Sequence, residues 1–166
     1  MQLNHYNTTF KEHSFHITLV CDNVTNATNI GSLFRMADAF GVEKIIFCGK
    51  HIPLGRKMTK TSRATEKVIA FETKESILEV VLKLQMQNYN IISLEITSNS
   101  LPIHTYKFSK SKPIVLIVGD ENFGVSEAIL KVSDDIIHIN MFGLNSSMNV
   151  VQATNIALYE ITKQLV

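Results

Sequence analysis

Six short runs of apolar, often β-branched residues are spread along the chain, and they do not alternate apolar with polar positions. Runs of this kind predict strands that are buried on both faces, as in a parallel sheet covered by helices. The runs occupy residues 15–21, 44–49, 67–72, 90–96, 113–119 and 135–141.

Helical patterns lie between several of these runs, with apolar residues recurring at three- and four-residue spacing. The three helical stripes comprise Ile30, Leu33, Phe34, Ala37 and Phe40, then Ile77, Val80, Val81 and Leu84, and finally Val150, Ala153, Ala157 and Ile161. Gly41 predicts the end of the first helix. The alternation predicts an α/β fold with a mostly parallel sheet. Because no Pro/Gly/Ser-rich linker interrupts it, residues 1–166 are expected to form a single domain.

Composition limits the class of protein. With 45% hydrophobic and 19% charged residues, the chain has the make-up of an ordinary globular protein. The longest apolar run, 114–118, is too short to span a bilayer, and residues 1–15 contain no apolar signal core. We therefore expect a cytoplasmic protein without membrane contact, in which Cys21 and Cys48 are reduced, buried thiols. The six histidines are scattered without metal-ligand spacing, so no metal is expected.

The net charge of +1 hides a strongly basic segment at residues 50–67. Its six cations, against the single acid Glu66, are Lys50, Arg56, Lys57, Lys60, Arg63 and Lys67. A smaller cluster comprises Lys107, Lys110 and Lys112. The basic segment is either a solvated loop or a binding surface for phosphates, and charge alone does not choose between the two.

Ligands of parallel sheets bind beyond the carboxyl ends of the strands, here the loops after Cys21, Leu94, Gly119 and Met141. The loop after Cys21 carries Asn23, Asn26 and Asn29 and then a helix bearing Arg35. The asparagines suit Asx turns and a helix N-cap, and Arg35 lies opposite the apolar stripe of its helix. An outward arginine is commonly just solvated.

The loop from Gly119 to Gly124 matches neither the dinucleotide fingerprint nor the P-loop. It places Asp120 and Glu121 where backbone N–H groups would otherwise meet an anion, so it argues against NAD and ATP. Two carboxylates suit a ligand with cationic groups, or hydroxyls that need acceptors.

Seven residues, 143–149, join the last strand to the last helix, and five of them are small or polar. An elaborate N-cap centred on Ser147 would explain part of this segment, but one residue suffices for a cap. The surplus predicts a collar of backbone and side-chain groups around a small polar ligand. We expect this bend to lie beside the acidic loop 119–124.

Taken in order, the three segments resemble the SpoU/TrmH branch of the SPOUT-class RNA methyltransferases. The family's first motif is matched by Asn29, Gly31 and Arg35, and its second by Gly119, Glu121 and Gly124. The third motif is matched by Ile139, Met141, Gly143, Ser147, Asn149 and Val150. Asn140 and Ala27 replace prolines of the pattern and Met148 replaces a leucine, which loosens backbone restraint without removing a chemical group.

The resemblance implies a C-terminal trefoil knot, a homodimer, and methyl transfer from S-adenosylmethionine to a ribose 2′-OH of RNA. It implies a cofactor site formed by Leu94, Gly119, Ile139, Met141, Ser147 and Met148. The catalytic set it implies is Arg35, Asn29, Glu121, Ser147 and Asn149. Arg35 would bind the RNA together with Lys57, Lys60 and Arg63 of the basic segment. The absence of an appended RNA-binding domain favours tRNA over rRNA as the substrate.

Two other classes of function remain open at this point. One is a non-catalytic RNA-binding or cofactor-sensing module with the same fold, which the intact set of motif residues disfavours. The other is a flavodoxin-like nucleotide binder, which the acidic loop disfavours.

Overall fold

The computed structural model describes residue 8 and residues 10–166. Most of the segment on which the expectation of no signal core rests therefore lies outside the described residues. The strands are β1 Phe15–Asp22, β2 Val42–Cys48, β3 Ala70–Lys74, β4 Asn90–Leu94, β5 Leu101–Pro102, β6 Ile114–Gly119 and β7 Asp135–His138. The α-helices are α1 Ala27–Ala39, α2 Arg56–Ser62, α3 Ile77–Met86, α4 Glu127–Val132 and α5 Val150–Leu165, and a 3₁₀-helix spans Thr65–Lys67. No described helix has both the length and the hydropathy that crossing a membrane requires.

The strands form one sheet in the order β3-β2-β1-β6-β4-β7-β5, and every pairing between them is parallel. The prediction of an α/β fold with a mostly parallel sheet is confirmed. The order places β6, β4 and β7 side by side, so their carboxyl ends open onto a common edge. The trefoil knot stays a prediction.

Apolar layers cover both faces of the sheet, and alternate residues of one strand serve different layers. Ile17 and Leu19 of β1 pack with α1 and α5, whereas Val20 belongs to the layer that contains residues of α3 and α4. This explains why the central strands read as unbroken apolar runs.

Two predicted strands differ most from the structure. The run 67–72 was expected to be buried, but its first residue ends the 3₁₀-helix and β3 is an edge strand whose residues are mostly exposed. The last strand ends at His138, short of the predicted Met141. Beyond His138 its neighbour β5 has ended too, so the chain has no ladder to continue.

Both cysteines are free and buried, as predicted. Desolvation raises the pKa of the Cys21 thiol, and it raises the pKa of Cys48 to about 12, with the nearby Asp22 acting in the same direction. Both groups are therefore protonated at neutral pH, which suits structural thiols rather than nucleophiles.

Candidate functional site

A cavity of about 470 Å³ lies beyond the carboxyl ends of β4, β6 and β7, and the bend before α5 closes one side. Its lining includes every residue that the sequence assigned to cofactor binding, together with Glu121. Those six residues are Leu94, Gly119, Ile139, Met141, Ser147 and Met148. The described lining contains no lysine or arginine, so acidic groups dominate its charge.

The acidic loop satisfies its own backbone N–H groups at its start. Asp120 forms an Asx turn, in which Oδ1 accepts the N–H of Asn122 at 2.8 Å and that of Phe123 at 3.2 Å. The carbonyl of Asp120 accepts the N–H of Gly124 at 2.8 Å. Asp120 therefore shapes the loop instead of simply projecting its charge into the cavity.

Two carboxylates from other strands hold the end of the same loop. Glu95, directly after β4, accepts the N–H of Val125 through Oε2 at 2.9 Å. Asp22, the last residue of β1, accepts the N–H and the hydroxyl of Ser126 through Oδ2 at 2.9 and 2.7 Å. All five N–H groups from 122 to 126 are thus engaged by the protein, which leaves this loop unsuited to cradling a phosphate.

The three motif segments meet at Glu121. Its Oε1 accepts hydrogen bonds from Nδ2 of Asn29 at 2.7 Å and from Nδ2 of Asn149 at 2.5 Å. The two asparagines also contact each other, since Asn149 Nδ2 lies 3.4 Å from Asn29 Oδ1. Asn29 is only 9% exposed and lies in the first turn of α1. The acidic loop and the last bend therefore lie side by side, as predicted.

Asn149, not Ser147, caps the last helix. Its Oδ1 accepts the N–H of Val151 at 2.9 Å, while its amide nitrogen serves Glu121. Ser147 instead donates its N–H and hydroxyl to Asn145 Oδ1, at 3.2 and 3.3 Å. The cap falls on Asn149 because α5 begins at Val150. A cap at Ser147 would require the helix to begin two residues earlier.

Only part of the seven-residue bend faces the cavity. Ser146, Ser147 and Met148 line it, whereas Leu144 and the preceding Phe142 are almost completely exposed. The cavity is therefore lined by the second half of the bend and by Met141, two residues before the bend, and the collar around a ligand stays a prediction.

Arg35 lies outside the cavity lining and is exposed on α1. It is six residues beyond Asn29, or about 9 Å further along the helix axis and on a different side of it. No hydrogen bond or ion pair joins the Arg35 side chain to another described residue. Asn29 and Glu121 therefore orient each other and Asn149, and they do not hold Arg35.

The core of the basic segment is a helix rather than a loop. Lys57 and Lys60 lie on α2 and Arg63 follows it in a left-handed conformation, with all three side chains exposed. Met58 and Ser62 are buried on the side of α2 that packs against α1. A Cβ at Gly31 of α1 would collide with this part of α2, so glycine permits the close approach of the two helices.

Sequence reasoning missed three polar residues near the cavity. Asp22 and Glu95 are recognisable afterwards as charged residues at the ends of buried strands, where an apolar run has no need of them. His138 also lines the cavity, and its Nδ1 lies 2.9 Å from the hydroxyl of Ser100. Among the described residues no group of three or more His, Cys, Asp or Glu side chains is arranged to hold a metal ion.

The sequence profile described as the SpoU rRNA Methylase family matches residues 16–159. The chain belongs to the SpoU family. This match covers all three motif segments and both of the asparagines that meet at Glu121.

Similarity to individual SpoU relatives extends over most of the chain. The chain is 30% identical over 151 residues to a tRNA (guanosine(18)-2'-O)-methyltransferase of Aquifex aeolicus. The aligned region covers 89% of the chain and 69% of the relative. The chain is 33% identical over 153 residues to a 23S rRNA (guanosine-2'-O-)-methyltransferase of Photorhabdus laumondii, covering 88% and 59%. The chain thus spans only about three fifths to two thirds of the length of these relatives.

A solved structure shares the SpoU fold of this chain. It is an AdoMet-bound rRNA methyltransferase from Sinorhizobium meliloti, with a TM-score of 0.84 at 22% identity over 90% of this chain and 57% of that one. At this identity the likeness shows the fold.

Proposed function

We propose that this protein transfers a methyl group from S-adenosylmethionine to a ribose 2′-OH of RNA. The observation that carries the proposal is the junction at Glu121, where the three motif segments meet beside one acidic cavity. Membership of the SpoU family supports the same reaction class, as do the names of both relatives.

The cavity fits this cofactor in both charge and shape. S-adenosylmethionine would supply an electrophilic methyl group on a cationic sulfonium. Glu95, Asp120 and Glu121 border the cavity, and no phosphate is present in the cofactor for them to repel. Leu94, Ile139 and Met148 offer apolar contact to a purine, while Ser146 and Ser147 offer polar groups to its ribose or amino-acid portion.

Arg35 is assigned to the RNA. A ribose 2′-OH is a poor nucleophile at neutral pH, so it must be positioned and helped to lose its proton. A guanidinium stays protonated in proteins and cannot serve as an ordinary general base. We assign Arg35 to the neighbouring phosphate and to the negative charge that develops on the 2′ oxygen. Its exposure and its freedom from other described partners leave it available to RNA.

The finer assignments are part of the same proposal. RNA would lie across α2, with Lys57, Lys60 and Arg63 contacting its backbone. The protein would act as a cytoplasmic homodimer with residues 1–166 as one domain and a knotted C-terminal region. tRNA is the first candidate substrate, because the chain covers a larger share of the Aquifex tRNA methyltransferase than of the Photorhabdus rRNA methyltransferase. rRNA is the competing candidate.

A methyl-transfer assay tests the proposal. The protein is incubated with labelled S-adenosylmethionine and with either tRNA or rRNA from a strain that lacks this protein. We expect label in ribose 2′-O-methyl groups of the tRNA fraction. Label in rRNA alone would correct the substrate. Binding of the cofactor without transfer to either RNA would favour the non-catalytic module.

An Arg35→Ala variant tests the assigned role. Turnover should fall at least a hundredfold, as when a charge-stabilising donor is removed from a transition state, while the cofactor Kd stays at the wild-type value. Rapid-quench measurement with saturating RNA, together with calorimetric titration of the cofactor, checks both parts. Wild-type turnover in this variant contradicts the assignment.

A further inference from the structure

Glu95 borders the cavity and also contacts the end of the acidic loop. It follows β4 directly and is half-buried. Its Oε2 accepts the N–H of Val125 and its Oε1 accepts the N–H of Ile96, both at 2.9 Å. Both oxygens of one carboxylate are thus bonded to backbone donors, and one of those donors belongs to the neighbouring acidic loop.

Gly124 provides an independent indication that this contact shapes the loop. Its φ is +65°, in the left-handed region that favours glycine. A Cβ on residue 124 would also occupy the space taken by the Glu95 carboxylate. Glycine is therefore favoured at residue 124 for two reasons: the backbone is left-handed there, and the Glu95 carboxylate approaches closely.

The path of this loop decides where Glu121 lies. The loop starts at Gly119, which is paired with β1, and it ends at Val125 and Ser126, which Glu95 and Asp22 hold. Glu121 lies between these two fixed ends. Release of one end would let the whole loop shift, together with the carboxylate that meets the two asparagines.

We propose that Glu95 is a positioning residue that sets the path of the acidic loop and, through it, the place where Glu121 meets Asn29 and Asn149. The ligand side of this inference rests on the proposed function, because it takes S-adenosylmethionine as the occupant of the cavity. The loop side depends only on the contacts of Glu95.

Amide exchange by NMR and calorimetric titration of S-adenosylmethionine test the two sides separately. In Glu95→Ala the Val125 amide should exchange at least tenfold faster, and the cofactor Kd should rise about tenfold, as expected for loss of a hydrogen bond to a charged group. Glu95→Gln keeps one acceptor oxygen, so its exchange rate and its cofactor Kd should lie between those of wild type and Glu95→Ala. This variant preserves the test if Glu95→Ala does not fold. Glu79→Ala, which removes an exposed carboxylate of α3, should match wild type in both measurements.

A double-mutant cycle distinguishes a positioning contact from a general loss of stability. Gly124→Ala alone should weaken cofactor binding, because the new methyl group displaces the Glu95 carboxylate. In the Glu95→Ala background, Gly124→Ala should weaken cofactor binding by a smaller factor, because only the strain of a left-handed alanine remains. Additive effects would contradict the proposed contact.

The outcomes separate the two proposals. Wild-type protein that binds no S-adenosylmethionine refutes the proposed function, and the Val125 exchange rates then decide whether Glu95 holds the loop. Wild-type protein that binds the cofactor, with Glu95→Ala unchanged in either Kd or exchange, overturns the positioning role.

Discussion

Asn149 shows how one residue can join local structure to the site. Its carbonyl oxygen caps α5 and its amide nitrogen donates to Glu121, so helix N-terminus and acidic loop share one side chain. A serine or aspartate would cap as well as asparagine, but neither combines the cap with a donor of that length. The requirement for asparagine therefore comes from Glu121.

Replacing Asn149 by serine should separate these two roles. The hydroxyl retains the cap, so the free energy of unfolding should stay within about 0.5 kcal/mol of wild type, whereas loss of the bond to Glu121 should raise the cofactor Kd about tenfold. Thermal unfolding and calorimetric titration measure the two effects. Asn149→Ala is the matched comparison, in which about 1 kcal/mol of stability should be lost as well. Unchanged affinity in Asn149→Ser would remove Asn149 from the site.

The packing of α2 on α1 shows what an element contributes. Viewed as sequence, Gly31 is a helix-weakening residue within a motif. In the structure it lies where the backbone of α2 at Met58 and Ser62 leaves no room for a Cβ. The motif glycine therefore places the basic helix beside the helix that bears Arg35.

Gly31→Ala should displace α2 without disturbing the cavity. Overpacking of this kind costs typically 1–3 kcal/mol, so we expect a stability loss of about that size and a weaker affinity for RNA, with an unchanged cofactor Kd. Denaturant unfolding and filter binding provide the measurements. Ser32→Ala, at the adjacent position, should leave both unchanged, since the Ser32 hydroxyl only donates to the carbonyl of Thr28. An alanine variant at 31 with wild-type stability would show that the two helices can separate freely.

At the scale of the whole molecule, a net charge of +1 conceals a separation of charge. Carboxylates surround the cavity, while exposed cations concentrate on α2 and the residues after it. This distribution suits a cationic small ligand in one place and a polyanion in another.

Removal of Lys57, Lys60 and Arg63 by triple alanine substitution tests this separation. If each contacts a phosphate, the slope of log affinity for RNA against log salt should lose about 2–3 in magnitude. A matched triple variant at Lys107, Lys110 and Lys112 removes equal charge from residues that precede β6, at the opposite edge of the sheet from the cavity. Equal slopes in the two variants would mean that net charge, rather than α2, governs RNA binding.

Local patterns predicted much of this arrangement. The central strands and the three periodic helices were placed to within a few residues, since each depends on its own run of apolar positions. The prediction of a buried strand at 67–72 was wrong because local composition does not reveal that a strand will lie at a sheet edge. A cap at Ser147 was the alternative explanation of the bend, because several capping residues stand together there. In the structure, the bond to Glu121, which follows a distant strand, favours Asn149 as the cap.

The sequence by itself determined the class of fold, the acidic character of one loop and the motif residues that place the chain in the SpoU family, because these depend on residue type and short-range spacing. Tertiary structure alone decided that Asn29, Glu121 and Asn149 converge on one point, that Glu95 and Asp22 hold the acidic loop, and that Arg35 lies outside the cavity. The first two features are contacts between residues far apart in the chain, and they depend on β1, β4, β6 and β7 running parallel with their carboxyl ends at one edge.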